Sequence, residues 1–210
     1  MQKISEEERL YTISAPDREL WAIPGAVVAG MDEVGRGPLA GPVVVGCAVM
    51  PGEPLIPHIN DSKKLSPKRR EMLYDKITAE AVAYSTAWVW PETIDRINIL
   101  EATRMAFLQA FEKIGVPVTD VLIDALQGTG IPAKQHILIH GDALSYSIAA
   151  ASILAKVERD RYMEEQAKLY PEYGFERNKG YGTAEHINVL KTVGPCPIHR
   201  KSFIGHFTSV

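Results

Sequence analysis

Cysteine is scarce in this chain: there are two among 210 residues, Cys47 inside an apolar run and Cys196 between prolines. Isolated thiols of this kind exclude a disulfide framework and a paired-cysteine metal site, so both read as free. Long apolar runs are also missing, since the longest, near residues 43–50 and 148–155, fall well short of a membrane span. The opening residues Met1 to Glu8 are acidic and lack an apolar segment, so a cytoplasmic protein with no membrane association is expected. Nor is there an excess of one charge. With 23 Lys and Arg against 26 Asp and Glu, the net charge of −3 does not announce a nucleic-acid binder. No internal repeat or low-complexity tract occurs. What remains, 46% hydrophobic and 23% charged residues, is the composition of a folded domain large enough to bury a core. Residues 1–25 are expected to form a lead-in and 26–210 one domain, acting as a monomer.

Charge is distributed unevenly even though it nearly cancels. Lys63, Lys64, Lys68, Arg69 and Arg70 crowd one short stretch, and Arg177, Lys179, Lys191, Arg200 and Lys201 punctuate the C-terminal region. Basic patches like these can be offset in the sum by a carboxylate cluster elsewhere.

Periodicity and punctuation place the elements. Ser5 and Glu8 stand at capping-box spacing, opening a short helix in a lead-in broken by Pro16 and Pro24 that packs on the outside. Residues 26–31 and 42–50 are β-branched runs expected to pair antiparallel across a long connection. Ser66 and Pro67 cap and begin a helix whose buried stripe is Met72, Leu73, Ile77 and Ala81. A strand over 82–90 precedes a helix over about 98–114 with Ile97, Leu100, Ala106, Leu108 and Phe111 as its apolar set. Residues 118–124 read as a buried strand and 134–139 as another strand, and residues 141–168 as one long helix whose stretch 148–155 is apolar nearly all round. A turn at 180–183 caps a last helix over 184–192. This alternation predicts an α/β fold: a mixed central sheet flanked by helices on both faces, with a C-terminal helical region.

Open α/β sheets hold ligands at the carboxyl ends of their strands. Asp32 and Glu33 close the first strand, Asp124 closes a later one, and Asp142 begins the long helix, so all four are expected at one edge. Adjacent residues of a regular strand face opposite ways, so Asp32 and Glu33 need the following turn to converge. Clustered carboxylates repel unless a cation lies between them, and an all-oxygen set suits Mg²⁺ or Mn²⁺. Each Asp also has a plainer use, Asp142 as a helix cap and Asp124 as an acceptor for loop amides. Asp160 is set aside, because it lies about 27 Å along the helix axis from Asp142. Gly35 and Gly37, flanking Arg36, leave amides bare for a phosphate or sugar to approach.

The run Asp32-Glu33-Val34-Gly35-Arg36-Gly37-Pro38-Leu39-Ala40-Gly41-Pro42 resembles the signature of the type 2 ribonucleases H, specifically the bacterial ribonuclease HII family. Asp61-Ser62-Lys63-Lys64-Leu65, Leu122-Ile123-Asp124, Gly141-Asp142 with the stretch 147–157, Lys179-Gly180-Tyr181-Gly182-Thr183 and His199-Arg200-Lys201-Ser202-Phe203 resemble its further motifs, in the family's order, over about residues 26–205. The resemblance implies an RNase H-like fold and hydrolysis of the phosphodiester 5′ to a ribonucleotide, in RNA–DNA hybrid or embedded in duplex DNA. The products would carry 3′-hydroxyl and 5′-phosphate ends, serving removal of misincorporated ribonucleotides and RNA primers. It maps Asp32, Glu33, Asp124 and Asp142 onto catalytic metal ligands in a two-metal mechanism. Gly35, Arg36, Gly37 and Tyr181 map onto elements sensing the ribose and its junction with DNA, and Lys63, Lys64 and the His199-Arg200 region onto phosphate contacts. Asp142 and the short lead-in are unlike the sister family, ribonuclease HIII, which usually has Glu at the fourth position and a substantial N-terminal domain. The residues by themselves leave open another metal-dependent nuclease of the same superfold, or a non-catalytic nucleic-acid-binding module.

Overall fold

A computed structural model of the chain describes residues 4–208, so the first three residues of the lead-in and the last two of the main domain lie outside it. Five strands form one sheet: β1 (Val28–Val34), β2 (Val43–Val49), β3 (Ala83–Val89), β4 (Asp120–Asp124) and β5 (Lys134–Leu138). The order across the sheet is β3-β2-β1-β4-β5. β1, β2 and β3 are joined antiparallel, whereas β4 and β5 run parallel to β1.

The helices are α1 (Glu6–Ile13), α2 (Ala15–Trp21), α3 (Pro67–Glu80), α4 (Pro91–Lys113), α5 (Gly141–Leu144), α6 (Tyr146–Leu169), α7 (Phe175–Asn178), α8 (Ala184–Thr192) and α9 (Lys201–Ile204). None of them is long and apolar enough to cross a membrane. Strand alternation sorts the side chains between two cores. Met31, Val43, Val45, Cys47, Val121 and Ile123 pack against Ala102, Ala106, Phe107 and Ala110 of α4. On the opposite face α6 lies across β1 and β2, and α1 and α3 close that layer with Leu10, Ile13, Leu73 and Ile77.

The α6 backbone can come close because the sheet carries glycine beneath it. A Cβ at Gly30 would lie 2.1 Å from the carbonyl carbon of Ser147, and one at Gly46 would lie 2.2 Å from the Ala151 oxygen. Bare sheet and small helical residues thus bring α6 within backbone contact of β1, which later determines where Asp142 sits.

Several expectations need correction. The lead-in does not merely coat the surface: Asp17 of α2 is fully buried, and its carboxylate accepts from Tyr146 N at 3.0 Å and Ser147 N at 2.9 Å, capping α6. The long helix is not continuous from 141. Ser145 adopts an extended conformation between α5 and α6, with its hydroxyl accepting from Ile148 N. Residues 91–97 are also helical, and α4 is interrupted at Asn98, whose φ of 67° starts a new segment and whose Oδ1 accepts from Leu100 N and Glu101 N. Met72 and Leu100 face solvent rather than the core, because α3 and α4 are each buried along a narrower stripe than the periodicity suggested. Beyond α6, Pro171–Tyr173 form a short 3₁₀ turn that leads into α7.

Candidate metal centre and adjoining cleft

The parity that sorts the cores also builds the site. Even-numbered residues of β1 and β4 face α6, as Val28, Leu122 and their packing partner Ile148 show. In the parallel register Gly30 pairs with Leu122, so the next residues on that face, Asp32 and Asp124, emerge side by side at the strand ends. Asp142 arrives from the other side on α5. One ligand oxygen from each of Asp32, Asp124 and Asp142 lies within 4.8 Å of the others.

Asp124 also fulfils the plainer role open to a strand-end carboxylate, since its Oδ1 accepts from Gly141 N at 2.8 Å. That bond draws the start of α5 onto the strand end. Gly141 has no room for a side chain, because a Cβ would lie 2.6 Å from Ile148 Cδ1. Asp142 is not the helix cap; His140 takes that position, with φ of 60°.

The sequence suggested four-way convergence through the turn, and here the structure differs. β1 stays regular through Val34, so Glu33 points away from the face that holds Asp32 and stands outside the tight group. It remains close enough for its charge to be felt at Asp32. Its Oε1 accepts from Arg36 Nη1 at 3.2 Å, while its buried Oε2 has no hydrogen-bond partner among the described residues.

The electrostatics of the group favour a cation. Burial, then the Glu33, Asp124 and Asp142 charges, push the Asp32 carboxyl well above the usual range, with the Ser152 hydroxyl opposing. Asp142 is pushed up by burial and by Asp61, against the pull of Lys63, whose Nζ lies 3.6 Å from Asp142 Oδ2. Glu33 is raised by burial, partly offset by Arg36. Buried, mutually repelling carboxylates and an orphaned Glu33 oxygen fit a hard, oxygen-seeking divalent ion. They do not fit a soft metal, since among the described residues neither His nor Cys joins the group.

A cleft opens beside the carboxylates, lined by Glu33, Gly35, Arg36, Gly37, Ser62, Lys63, Lys156 and Tyr181. Gly35 takes φ of 94°, whereas Gly37 does not need the left-handed region, and a Cβ on it would meet only Tyr181 Cε1, at 3.7 Å. Space inside the protein therefore does not demand glycine at 37. Tyr181 is half exposed over this edge, Lys63 is exposed in the lining, and Lys64 beside it is exposed with its Nζ 3.7 Å from Asp61 Oδ2.

The Arg200 expectation is corrected. Its side chain is fully buried and donates only to carbonyls, so it cannot reach a phosphate, and His199 is buried as well. His199 Nε2 lies 2.9 Å from His186 Nε2, and His186 Nδ1 lies 2.9 Å from the Tyr181 carbonyl, so the pair anchors the Tyr181 turn. Burial lowers both imidazoles, His199 to about 4, keeping them neutral at pH 7. Sequence reasoning missed Ser152, which touches Asp32 and bonds Ser62 Oγ, and Arg159, buried beneath the cleft. A charged residue inside the apolar face of α6 was the available signal for Arg159.

A five-stranded mixed sheet of this order, with carboxylates meeting at adjacent strand ends under a covering helix, defines a metal-dependent nuclease of RNase H type. The model of the family Ribonuclease HII matches residues 29–206. The ribonuclease HII of Caldanaerobacter subterraneus subsp. tengcongensis is 48% identical over 199 residues, covering 95% of this chain and 83% of that protein. That of Caldicellulosiruptor bescii is 45% identical over 208 residues, covering 99% of this chain and 100% of its own. Among solved structures, the ribonuclease H2 of Pyrococcus horikoshii OT3 matches with a TM-score of 0.73 at 28% identity, covering 86% of this chain and 98% of that one. A ribonuclease HII of Archaeoglobus fulgidus, solved in complex with PCNA, matches with a TM-score of 0.71 at 25% identity, covering 85% and 94%. The chain belongs to the ribonuclease HII family, and it is a hydrolase, an endonuclease of ribonuclease H type that acts on nucleic acid.

Proposed function

We propose that the protein hydrolyses the phosphodiester on the 5′ side of a ribonucleotide, in RNA–DNA hybrid or embedded in duplex DNA, leaving 3′-hydroxyl and 5′-phosphate ends. The observation that carries this reading is the adjacency of two unlike features: three convergent aspartates, and a cleft wall made of bare backbone and one exposed tyrosine. Asp32, Asp124 and Asp142 are the residues that would hold Mg²⁺ or Mn²⁺, with Glu33 beside them as a further ligand. Such ions supply an activated water and stabilise the leaving oxygen.

The chain's own residues do the rest. Asp124 holds the α5 end in register through Gly141, so the Asp142 and Asp124 carboxylates keep a fixed separation. Lys63 and Lys64 attract backbone phosphate at the rim, supplying affinity that is independent of sequence. Amides of the Gly35-Arg36-Gly37 segment meet the ribose, whose 2′-hydroxyl separates RNA from DNA. Tyr181 lays its ring against the neighbouring deoxyribose, next to Gly37. Discrimination is then a matter of placement, because a phosphodiester reacts only when held in line with the carboxylate centre.

Mapping the ends of the products tests this reading. End-labelled duplex DNA carrying one ribonucleotide, incubated with Mg²⁺, should yield one cut immediately 5′ to the ribonucleotide, with an extendable 3′-hydroxyl. A cut on the 3′ side, or a cyclic phosphate end formed by attack of the 2′-hydroxyl, would contradict it.

A further inference from the structure

Arg159 and Arg200 are both fully buried beneath the cleft, and among the described residues neither forms an ion pair with a carboxylate. Arg159, on α6, donates from Nε to Pro42 O at 3.0 Å, from Nη2 to Ala40 O at 3.0 Å and from Nη1 to Lys179 O at 2.9 Å. Arg200, preceding α9, donates from Nε to Gly41 O at 2.9 Å, from Nη1 to Arg36 O at 2.9 Å and from Nη2 to Gly35 O at 2.6 Å. Every acceptor is a main-chain carbonyl, and all but Lys179 belong to the connection between β1 and β2. Burying a guanidinium with no counter-ion is expensive unless it is hydrogen-bonded, and here every nitrogen of both groups donates, five of the six bonds going to one loop. Burial and the Arg159 charge lower Arg200 to about 9, so it stays protonated at pH 7.

The consequence lies in the peptide planes. In a trans peptide the carbonyl and the N–H of the same unit point in opposite directions, and these units are trans. Arg200 draws the Gly35 and Arg36 carbonyls inward, so the N–H groups of Arg36 and Gly37, which share those planes, are turned outward. Neither donates a hydrogen bond within the described residues, and both belong to the cleft wall. Glycine at 35 is part of the same fit, since a Cβ there would lie 2.3 Å from Arg159 Nε.

We propose that Arg200 is a positioning residue for ribonucleotide recognition: it sets two peptide planes so that two N–H donors, and no carbonyl, face the ribose and its phosphate. Arg159 braces the other end of the same loop and joins it to the Tyr181 turn through Lys179. A reversed peptide would present a carbonyl, which repels phosphate oxygen. This proposal rests on the cleft being the ribonucleotide site, as argued above.

Two lysine variants test it. Arg200→Lys keeps the charge, but one ammonium cannot span three carbonyls in the guanidinium's fork. Arg159→Lys is a matched control, equally buried but touching neither Gly35 O nor Arg36 O. Single-turnover cleavage of a duplex with one ribonucleotide is measured well below each melting temperature, and binding is measured against salt with Ca²⁺ in place of Mg²⁺. Arg200→Lys should lose at least about tenfold more rate than Arg159→Lys, as loss of an oriented donor does, with the wild-type salt slope of binding. Equal losses in both variants would reduce Arg200 to packing, and a slope shallower by about one would make it a direct phosphate contact; either overturns the proposal. Should Arg200→Lys fail to fold, amide NMR of the wild type decides. Duplexes with and without the single 2′-hydroxyl, in Ca²⁺, should shift the Arg36 and Gly37 N–H signals differently, and identical shifts would overturn the proposal. Wild-type cleavage of both duplexes at equal rates would instead defeat the functional reading on which it rests.

Discussion

Replacing Asp124 with Asn should stabilise the metal-free protein while removing its activity. Asn keeps the Oδ1 acceptor that holds Gly141 N, so the α5 junction is preserved. What disappears is one charge among three carboxylates whose ligand oxygens lie within 4.8 Å of one another. At an effective dielectric constant near 20, two unit charges at that separation repel by about 3.5 kcal/mol. Asp124 takes part in two such pairs, but the full sum is never reached, because protonating one carboxyl at pH 7 instead costs only about 4 kcal/mol. Allowing for the nearby Lys63 charge, the gain should be about 1–3 kcal/mol, or roughly 2–12 °C in melting temperature for a chain of this size. The gain should shrink on acidification. The Asp32 and Asp142 carboxyls are raised in the fold, so the folded state holds protons that the unfolded chain sheds above about pH 4; metal-free wild type therefore loses stability as pH rises from there. Saturating Mg²⁺, worth about 4.1 kcal/mol at a thousandfold excess over Kd, should reverse the order, with wild type now melting higher. The assay is thermal melting of both proteins in EDTA and in Mg²⁺, at pH 5 and pH 7.5. An Asp124→Asn protein less stable than wild type in EDTA at pH 7.5, or a wild type indifferent to Mg²⁺, would refute the reasoning.

Three further outcomes are expected. Lys63→Ala with Lys64→Ala should weaken duplex binding and reduce its salt slope by about one unit or less for each phosphate these side chains neutralise, without changing the cleavage position; an unchanged slope would leave both lysines as solvated surface. Tyr181→Ala should lose far more cleavage at a single embedded ribonucleotide than on continuous hybrid, with little change in melting temperature because the ring is half exposed; equal losses paired with a large melting shift would mean it packs the fold. Gly30→Ala should destabilise by about 1–3 kcal/mol or more in urea unfolding, because its Cβ would lie 2.1 Å from the α6 backbone, and a neutral substitution would contradict the close strand–helix contact.

What the sequence made legible was local or set by alternation. Capping at Ser5, Ser66 and Thr183 depends on residues three positions apart, and all three side chains accept the expected amide. The antiparallel and then parallel sheet followed from strand runs and crossovers, and the meeting of Asp32 with Asp124 and Asp142 followed from where strands end. The misreadings came from interactions that join distant parts of the chain. Asp17 caps α6 across 129 residues, and Arg200 reaches Gly35 across 165, so neither partner is visible from its own neighbourhood. Glu33 was less legible for a different reason: a turn rich in glycine suggested that β1 ends early, but pairing with β2 keeps it extended through Val34, so Glu33 stands beside the three aspartates rather than within their tight group.

The most direct test of the central claim uses two duplexes identical except for one 2′-hydroxyl, given to wild type and to Asp124→Asn in Mg²⁺ and in EDTA. The account predicts cleavage only by wild type, only of the duplex with the hydroxyl, and only with the metal present, while Asp124→Asn still binds that duplex. Comparable cutting of the all-deoxy duplex, or near-normal turnover by a folded Asp124→Asn protein, would contradict it.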